Sequence, residues 1–174
     1  MDIAVLIKYV PDTTAKISIS GDRVDESSVS KWSISPFDEY ALEAALAMKE
    51  SSGAKVTAIT CGPARSEKGL RDAAAVGADA LAHIVIDDLI SLDSTKIQAL
   101  LANAVKQIGA NVVFCGKQAA DTNSGSTGPG VAELIGAACV TNASEISNDG
   151  DRFSVLRPAG SGSERVSVSA PCVV

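Results

Sequence analysis

Strand-sized apolar runs that alternate with segments of helical periodicity constrain this chain more than any other feature. Ile3-Ala4-Val5-Leu6-Ile7 is continuously apolar and rich in β-branched residues, the pattern of a strand covered on both faces, as parallel strands in α/β proteins are. Comparable runs lie at 56–59, 81–86 and 112–115. A helix is expected to begin at Ser35-Pro36, with Ser as N-cap, Pro at the first helical position, and Asp38 and Glu39 in the positive first turn. Phe37, Ala41, Ala44, Ala45 and Met48 then share one face. A second helix carries Leu70, Ala73 and Ala74 and stops at Gly77. A third is capped near Asp93 or Ser94, spaces Ile97, Leu100, Leu101, Ala104, Val105 and Ile108 helically, and stops at Gly109. Val131, Leu134 and Ile135 form a short fourth helix ending at Gly136. Such alternation predicts a three-layer α/β/α fold: a parallel sheet with right-handed crossovers and helices on both faces.

Two segments depart from that rhythm. After Pro11, Ile17-Ser18-Ile19 and the Gly21-Asp22 turn before Val24 predict a small surface hairpin. Beyond the Asn148-Asp149-Gly150 turn, Phe153 and Val155 alternate, as do Val166 and Val168, around Gly160-Ser161-Gly162, so a C-terminal antiparallel hairpin is expected. The chain closes on the apolar Ala170-Pro171-Cys172-Val173-Val174 with no polar tail. Residues 1–174 are therefore expected to be a single α/β domain cut short at its C-terminus.

Composition removes several function classes. Lys+Arg total 15 against Asp+Glu 21, a net charge of −6, and no basic run offers a stripe for phosphate backbones, so no nucleic-acid partner is expected. One Trp, two Tyr and three Phe provide no base-stacking platform. No apolar run approaches the ~20 residues that cross a bilayer, so no membrane insertion is expected. Strand-like sequence starts at Asp2 and leaves no room for a leader, which points to a cytoplasmic protein. Cys61, Cys115, Cys139 and Cys172 are widely spaced and form no C-x-x-C pair, so they read as reduced structural thiols. The single His83, set in the apolar run Leu81-Ala82-His83-Ile84-Val85, reads as a structural histidine.

The chemistry concentrates in Gly116-Lys117-Gln118-Ala119-Ala120-Asp121-Thr122-Asn123-Ser124-Gly125-Ser126-Thr127-Gly128-Pro129-Gly130, between a buried strand and a helix start. Such a loop lies at the carboxyl edge of the sheet, where open α/β folds bind ligands. Gly125, Gly128 and Gly130 permit positive φ and close backbone approach, Ser124, Ser126 and Thr127 bring hydroxyls, and the helix N-terminus brings free N–H groups suited to a phosphate. The loop is not a Walker A motif, and Gly128-Pro129-Gly130 lacks the third glycine of a dinucleotide fingerprint. Cys61-Gly62-Pro63 and Ser35-Pro36-Phe37-Asp38 reach the same edge. Each also has a plainer explanation as a turn or cap. Together the three segments enclose space for a mononucleotide, with adenine near the first and second strands, phosphate in the Gly/Ser loop, and Lys117 adding charge. A Ser-His-Asp set, a paired-carboxylate cleft and a metal cluster are missing, which favours binding over catalysis.

These residues resemble a family. Lys8-Tyr9-Val10-Pro11-Asp12, Ser35-Pro36-Phe37-Asp38-Glu39-Tyr40-Ala41-Leu42-Glu43-Ala44-Ala45, Cys61-Gly62-Pro63, and Gly116-Lys117-Gln118-Ala119-Ala120-Asp121 with Thr127-Gly128 are similar, in order and spacing, to the electron transfer flavoprotein beta subunits. The resemblance covers the whole chain. It implies an adenine nucleotide alpha hydrolase-like (Rossmann-like) domain that pairs with an alpha subunit. The heterodimer carries FAD, mostly on the alpha subunit, and passes electrons from dehydrogenases to downstream acceptors without catalytic residues of the beta subunit's own. The beta subunit of this family buries AMP or, in electron-bifurcating members, a second FAD whose adenylate end fills the same pocket. Carried onto this chain, that pocket falls on Leu6, on Ser35, Pro36, Phe37 and Asp38, on Cys61, and on the loop from Gly116 to Thr127. Thr122-Asn123-Ser124-Gly125-Ser126 replaces the acidic run and Gln of many AMP-type members, the Gly128-Pro129 pair and Ala132-Glu133-Leu134-Ile135-Gly136 resemble the second type, and Thr127 the first. The nucleotide stays open between AMP and FAD. Family members also extend beyond the equivalent of Val174 into a docking loop and a C-terminal arm. A second reading is a stand-alone ATP/AMP-binding regulatory domain of the universal-stress type, which shares this sheet and also uses a Gly-rich loop before a helix, here Gly125-Ser126-Thr127. The early hairpin and the Pro36 helix start speak against it.

Overall fold

Hydrogen bonding between the apolar runs builds a six-stranded parallel sheet in a computed structural model that describes residues 1–150 and 152–174. The first strand, β1 (Asp2–Leu6), leads into an excursion made of β2 (Tyr9–Pro11), the small hairpin β3 (Ile19–Ser20) and β4 (Arg23–Val24), and β5 (Trp32–Ile34), which returns antiparallel to β2. Then follow α1 (Pro36–Ser52), β6 (Lys55–Gly62), α2 (Glu67–Val76), β7 (Ala80–Val85), α3 (Ser94–Ile108), β8 (Val112–Cys115), α4 (Thr127–Ile135) and β9 (Ala138–Cys139). After them β10 (Glu145–Asp149), β11 (Arg152–Ala159) and β12 (Gly162–Ser169) form a three-stranded antiparallel sheet, and β13 (Cys172–Val173) rejoins the parallel one.

The parallel sheet runs in the order β7-β6-β1-β8-β13-β9. The chain builds outward from β1 on one side through β6 and β7, then crosses to β8 on the other side. That reversal leaves a crevice outside the carboxyl ends of β1 and β8, the place where doubly wound sheets take ligands. Both faces of β1 are covered, which is why its sequence does not alternate. Ile3 and Val5 pack with Leu42, Ala45 and Met48 of α1 and with Leu70 and Ala73 of α2. Ala4 and Leu6 pack on the opposite face with Leu101 and Val105 of α3 and Val131 of α4.

Helix ends follow local chemistry. The Asp93 carboxylate accepts from the Lys96 N–H at 2.9 Å, capping α3, and Gly53, Gly109 and Gly136 end α1, α3 and α4 with φ of 70°, 72° and 68°. Gly77 follows the last residue of α2. In the antiparallel sheet Phe153 faces Val168 and Val155 faces Val166, the register that the alternating pattern demands. These inward residues extend the core beside α1.

Three elements go beyond the sequence expectations. The two residues of β9 are too few to show a pattern, β10 carries Ile146 as its single apolar residue, and β5 lies twenty residues from the β2 strand it pairs with, beyond the Pro11 that reads as a stop. Phe153 is 1% exposed at the junction of the two sheets. Phe153→Ala is expected to cost about 3–5 kcal/mol of unfolding free energy. Urea denaturation measures it, and a loss under about 1 kcal/mol would mean that the antiparallel sheet is not part of the core.

Candidate functional site

The crevice is built around the start of α1. Ser35 and Asp38 are both buried there, and neither serves its own helix in the ordinary way. The Ser35 hydroxyl does not cap α1. It accepts the Ala120 N–H at 3.2 Å, while the Ser35 N–H donates to the Lys8 carbonyl at 2.9 Å. The Asp38 carboxylate accepts the Lys8 N–H through Oδ2 and the Gly116 N–H through Oδ1, both at 2.9 Å. One helix start thus joins the end of β1 to the end of β8 and to the loop that follows it. Burial pushes the Asp38 carboxyl up to about 7, against the pull of those two amides and the nearby Lys8 charge, with Asp121 adding to the rise. Lys8 Nζ in turn pairs with the Asp121 carboxylate at 2.7 Å.

Above this floor opens a cavity of about 720 Å³. Of the residues expected at the site, Leu6, Asp38, Cys61, Gly116, Lys117, Gln118, Ala119, Asp121, Thr122, Ser124 and Thr127 line it. The others lie elsewhere. Ser35 is beneath the loop, and Ala120 is held by it. Pro36 occupies the first turn of α1, and Phe37 and Gly125 face a second cavity of about 860 Å³. Asn123, at φ 52°, shapes the loop by donating its N–H to the Ala119 carbonyl and accepting from the Gln118 side chain. Ser126 precedes α4 and accepts from Gln98 Nε2.

The loop glycines serve space, not the positive φ expected of them. Gly125, Gly128 and Gly130 all lie outside the left-handed region. A Cβ on Gly128 would meet Cys115 Sγ at 2.7 Å, and one on Gly116 would meet the Phe37 carbonyl carbon at 2.6 Å and the Asp38 nitrogen at 2.7 Å. The backbone therefore approaches β8 and α1 as only glycine allows. No side chain caps α4, whose first residue Thr127 lines the cavity together with Ser124. Lys117 has no hydrogen-bond or ion-pair partner among the described residues and lines both cavities.

Sequence reasoning did not find the outer wall. Tyr9 and Trp32 stack with ring centroids 6.1 Å apart, and the Arg65 guanidinium sits 4.4 Å from the Trp32 ring centroid. Arg65 also makes a two-pronged pair with Glu26 at 2.7 Å, tying the excursion to the turn after β6. The signal was present: the chain's one Trp lies in a polar segment with little core to join. Leu89 and Leu92, and Ile97 and Leu101 of α3, complete the wall.

His83 Nε2 lies 3.0 Å from the Gly62 carbonyl, a contact only its protonated nitrogen makes. The four cysteines are free, and burial pushes the Cys115 thiol up to about 12 and raises Cys61 as well. Among the described residues no group of three or more His, Cys, Asp or Glu is placed to hold a metal, and no helix is long and apolar enough to cross a membrane.

Comparison with known proteins places this geometry. The electron transfer flavoprotein domain matches residues 25–174. The chain belongs to the electron transfer flavoprotein family. It is 33% identical to the electron transfer flavoprotein subunit beta of Bacillus subtilis over all of this chain and 68% of that protein. It is 36% identical to the mitochondrial beta subunit of Oryza sativa, with 100% of this chain and 70% of the relative covered. Identity to the acryloyl-CoA reductase electron transfer subunit gamma of Anaerotignum propionicum is 32%, again over the whole chain and 66% of the relative. The chain spans about two thirds of the length of these relatives. Membership favours the flavoprotein reading over the universal-stress one.

The crowding at Gly116 yields a test. Gly116→Ala should lower unfolding free energy by about 1–3 kcal/mol, because backbone atoms of α1 must shift. Gly162→Ala, where a Cβ meets nothing within 4 Å, should change stability little. Thermal melts followed by circular dichroism compare the two, and equal melting points would disprove the close approach.

Proposed function

We propose that residues 1–174 are the adenine-nucleotide-binding part of an electron transfer flavoprotein beta subunit, and that the cavity at the β1 and β8 strand ends holds an adenylate, either AMP or the adenylate end of a second FAD. The observation that carries the reading is the convergence, on one cavity at the switch point, of Leu6, Asp38, Cys61 and eight residues of the 116–127 loop. The cavity suits such a group. Apolar Leu6 and half-buried Cys61 offer a surface for the adenine, and the uncapped start of α4, Ser124, Thr127 and the unpartnered Lys117 offer donors and charge for the phosphate. Much of the contact is with backbone, since glycines bring the chain close.

In this reading the chain works as a carrier subunit and not as an enzyme. It pairs with an alpha subunit that holds the main FAD, and the heterodimer moves electrons from dehydrogenases to downstream acceptors. The flavin supplies the redox chemistry. This chain's residues bind and orient the nucleotide: the Asp38 and Ser35 bonds fix the loop, Lys8 and Asp121 pair across the floor, and the Tyr9, Trp32 and Arg65 stack closes the outer side. The isolated chain is expected neither to hold the main flavin nor to transfer electrons.

Nucleotide analysis tests the reading. Protein purified without added nucleotide is denatured and the soluble fraction examined by chromatography and mass spectrometry. AMP or FAD in stoichiometric amount supports the proposal and decides between the two. Freely exchanging ATP would favour a regulatory domain, and no binding of AMP or FAD at millimolar concentration would remove the cavity assignment.

A further inference from the structure

The buried carboxylate beneath the loop is not needed to start its own helix. Pro36 occupies the first turn of α1, and the Asp38 N–H donates to the Ser35 carbonyl at 2.9 Å. What the carboxylate does is accept one amide from each of two strands that run side by side, Lys8 just past β1 and Gly116 just past β8. Resting on the nucleotide reading above, we propose that Asp38 is a positioning residue for the nucleotide: its ionised carboxylate holds the two strand ends and the first residue of the loop in the shape that binds the phosphate, so adenylate affinity depends on its charge.

Chemistry and packing make this specific. Only an ionised carboxylate offers two equivalent acceptors to two donors. Its protonated form places a hydroxyl against one of the amides, and an asparagine would place an NH₂ there. The loop already approaches α1 closely: a Cβ at Gly116 would lie 2.6 Å from the Phe37 carbonyl carbon and 2.7 Å from the Asp38 nitrogen. The loop's far end is held separately by the Asn123 and Ala119 bond and by Ser126 on Gln98, so a change at Asp38 acts on its near end. Charged and titratable groups surround Asp38 from each neighbouring element. Lys8 beyond β1 favours the carboxylate, Asp121 in the loop opposes it, and Cys115 at the end of β8 is a neutral thiol. Lys117 and Cys61 share the cavity, and Glu39, next along α1, acts on Lys31 instead. With the carboxyl raised to about 7, it is ionised and holds both amides above neutrality, and it loses that grip as pH falls below.

The test measures AMP binding by calorimetry at pH 6, 7 and 8 for the protein and for Asp38→Asn, with amide NMR of the nucleotide-free protein across the same range. Asp38→Asn is expected to weaken AMP at pH 8 by about tenfold or more, as loss of a charge-assisted hydrogen bond would. The unmodified protein should lose affinity between pH 8 and pH 6 beyond the change seen in the variant, which follows only the phosphate's own titration near pH 6. The Lys8 and Gly116 amide resonances should shift with a midpoint near 7 and stay fixed in Asp38→Asn. Equal AMP affinity and equal pH profiles in the two proteins would overturn the proposal while leaving the nucleotide reading intact, and so would amides that do not titrate. Titrating amides in a protein that binds neither AMP nor FAD at any pH would defeat the nucleotide reading, and with it Asp38's role in binding, leaving the carboxylate as a brace of the fold.

Discussion

Parallel strands end in amides that their neighbours cannot satisfy, and in this protein one carboxylate meets two of them. Asp38 receives the N–H groups of Lys8 and Gly116 where the sheet's winding reverses. A buried charge is costly unless its lone pairs are occupied, and here both oxygens are. The Ser35 hydroxyl, three residues earlier in the same helix start, meets a third amide at Ala120. The rest of the crevice depends on this arrangement. The loop cannot drift from the start of α1 without abandoning those bonds.

The fold supplies the rigid surroundings that such a site needs. β1 is buried on both faces, so its end is fixed by the packing of all four helices around the sheet. The short strand β13 lies between β8 and β9 and adds a neighbour to β8, whose Cys115 N–H donates to the Val174 carbonyl at 3.0 Å. The antiparallel sheet covers the core beside α1, burying Phe153 and Val155. Sites built on strand ends in this way lose less entropy on binding than sites on free loops.

Much of this was legible in the sequence because it is written in local periodicity. The continuous run at 3–7, the Pro36 helix start, the glycine stops and the pairing of Phe153 and Val155 with Val168 and Val166 are each visible within a short window. The loop from Gly116 to Thr127 was visible as composition, and eight of its residues reach the cavity. Direction was not legible. Nothing near Ser35 in sequence says that its hydroxyl will turn to Ala120, eighty-five residues on, instead of capping α1. Nor does composition distinguish a glycine wanted for its φ from one wanted for its missing Cβ, which is what separates Gly53 from Gly116. The Arg65, Trp32 and Glu26 cluster joins elements distant in sequence, and only tertiary structure assembles it.

The excursion between β2 and β5 has a consequence for how proteins of this design can diverge. Its base is a short antiparallel ladder pairing Tyr9 with Ile34 and Pro11 with Trp32, reinforced by the stacking of Tyr9 on Trp32. A loop whose stem is clamped transmits little of what happens at its tip. Its tip is the turn at Gly21, where φ is 65° and a Cβ would meet nothing within 4 Å. Lengthening such a loop costs slowly, about 0.6 kcal/mol for each doubling. Insertions and deletions at this turn are thus nearly free for the sheet beneath, and the tip is the natural place for one lineage to grow a feature that another lacks.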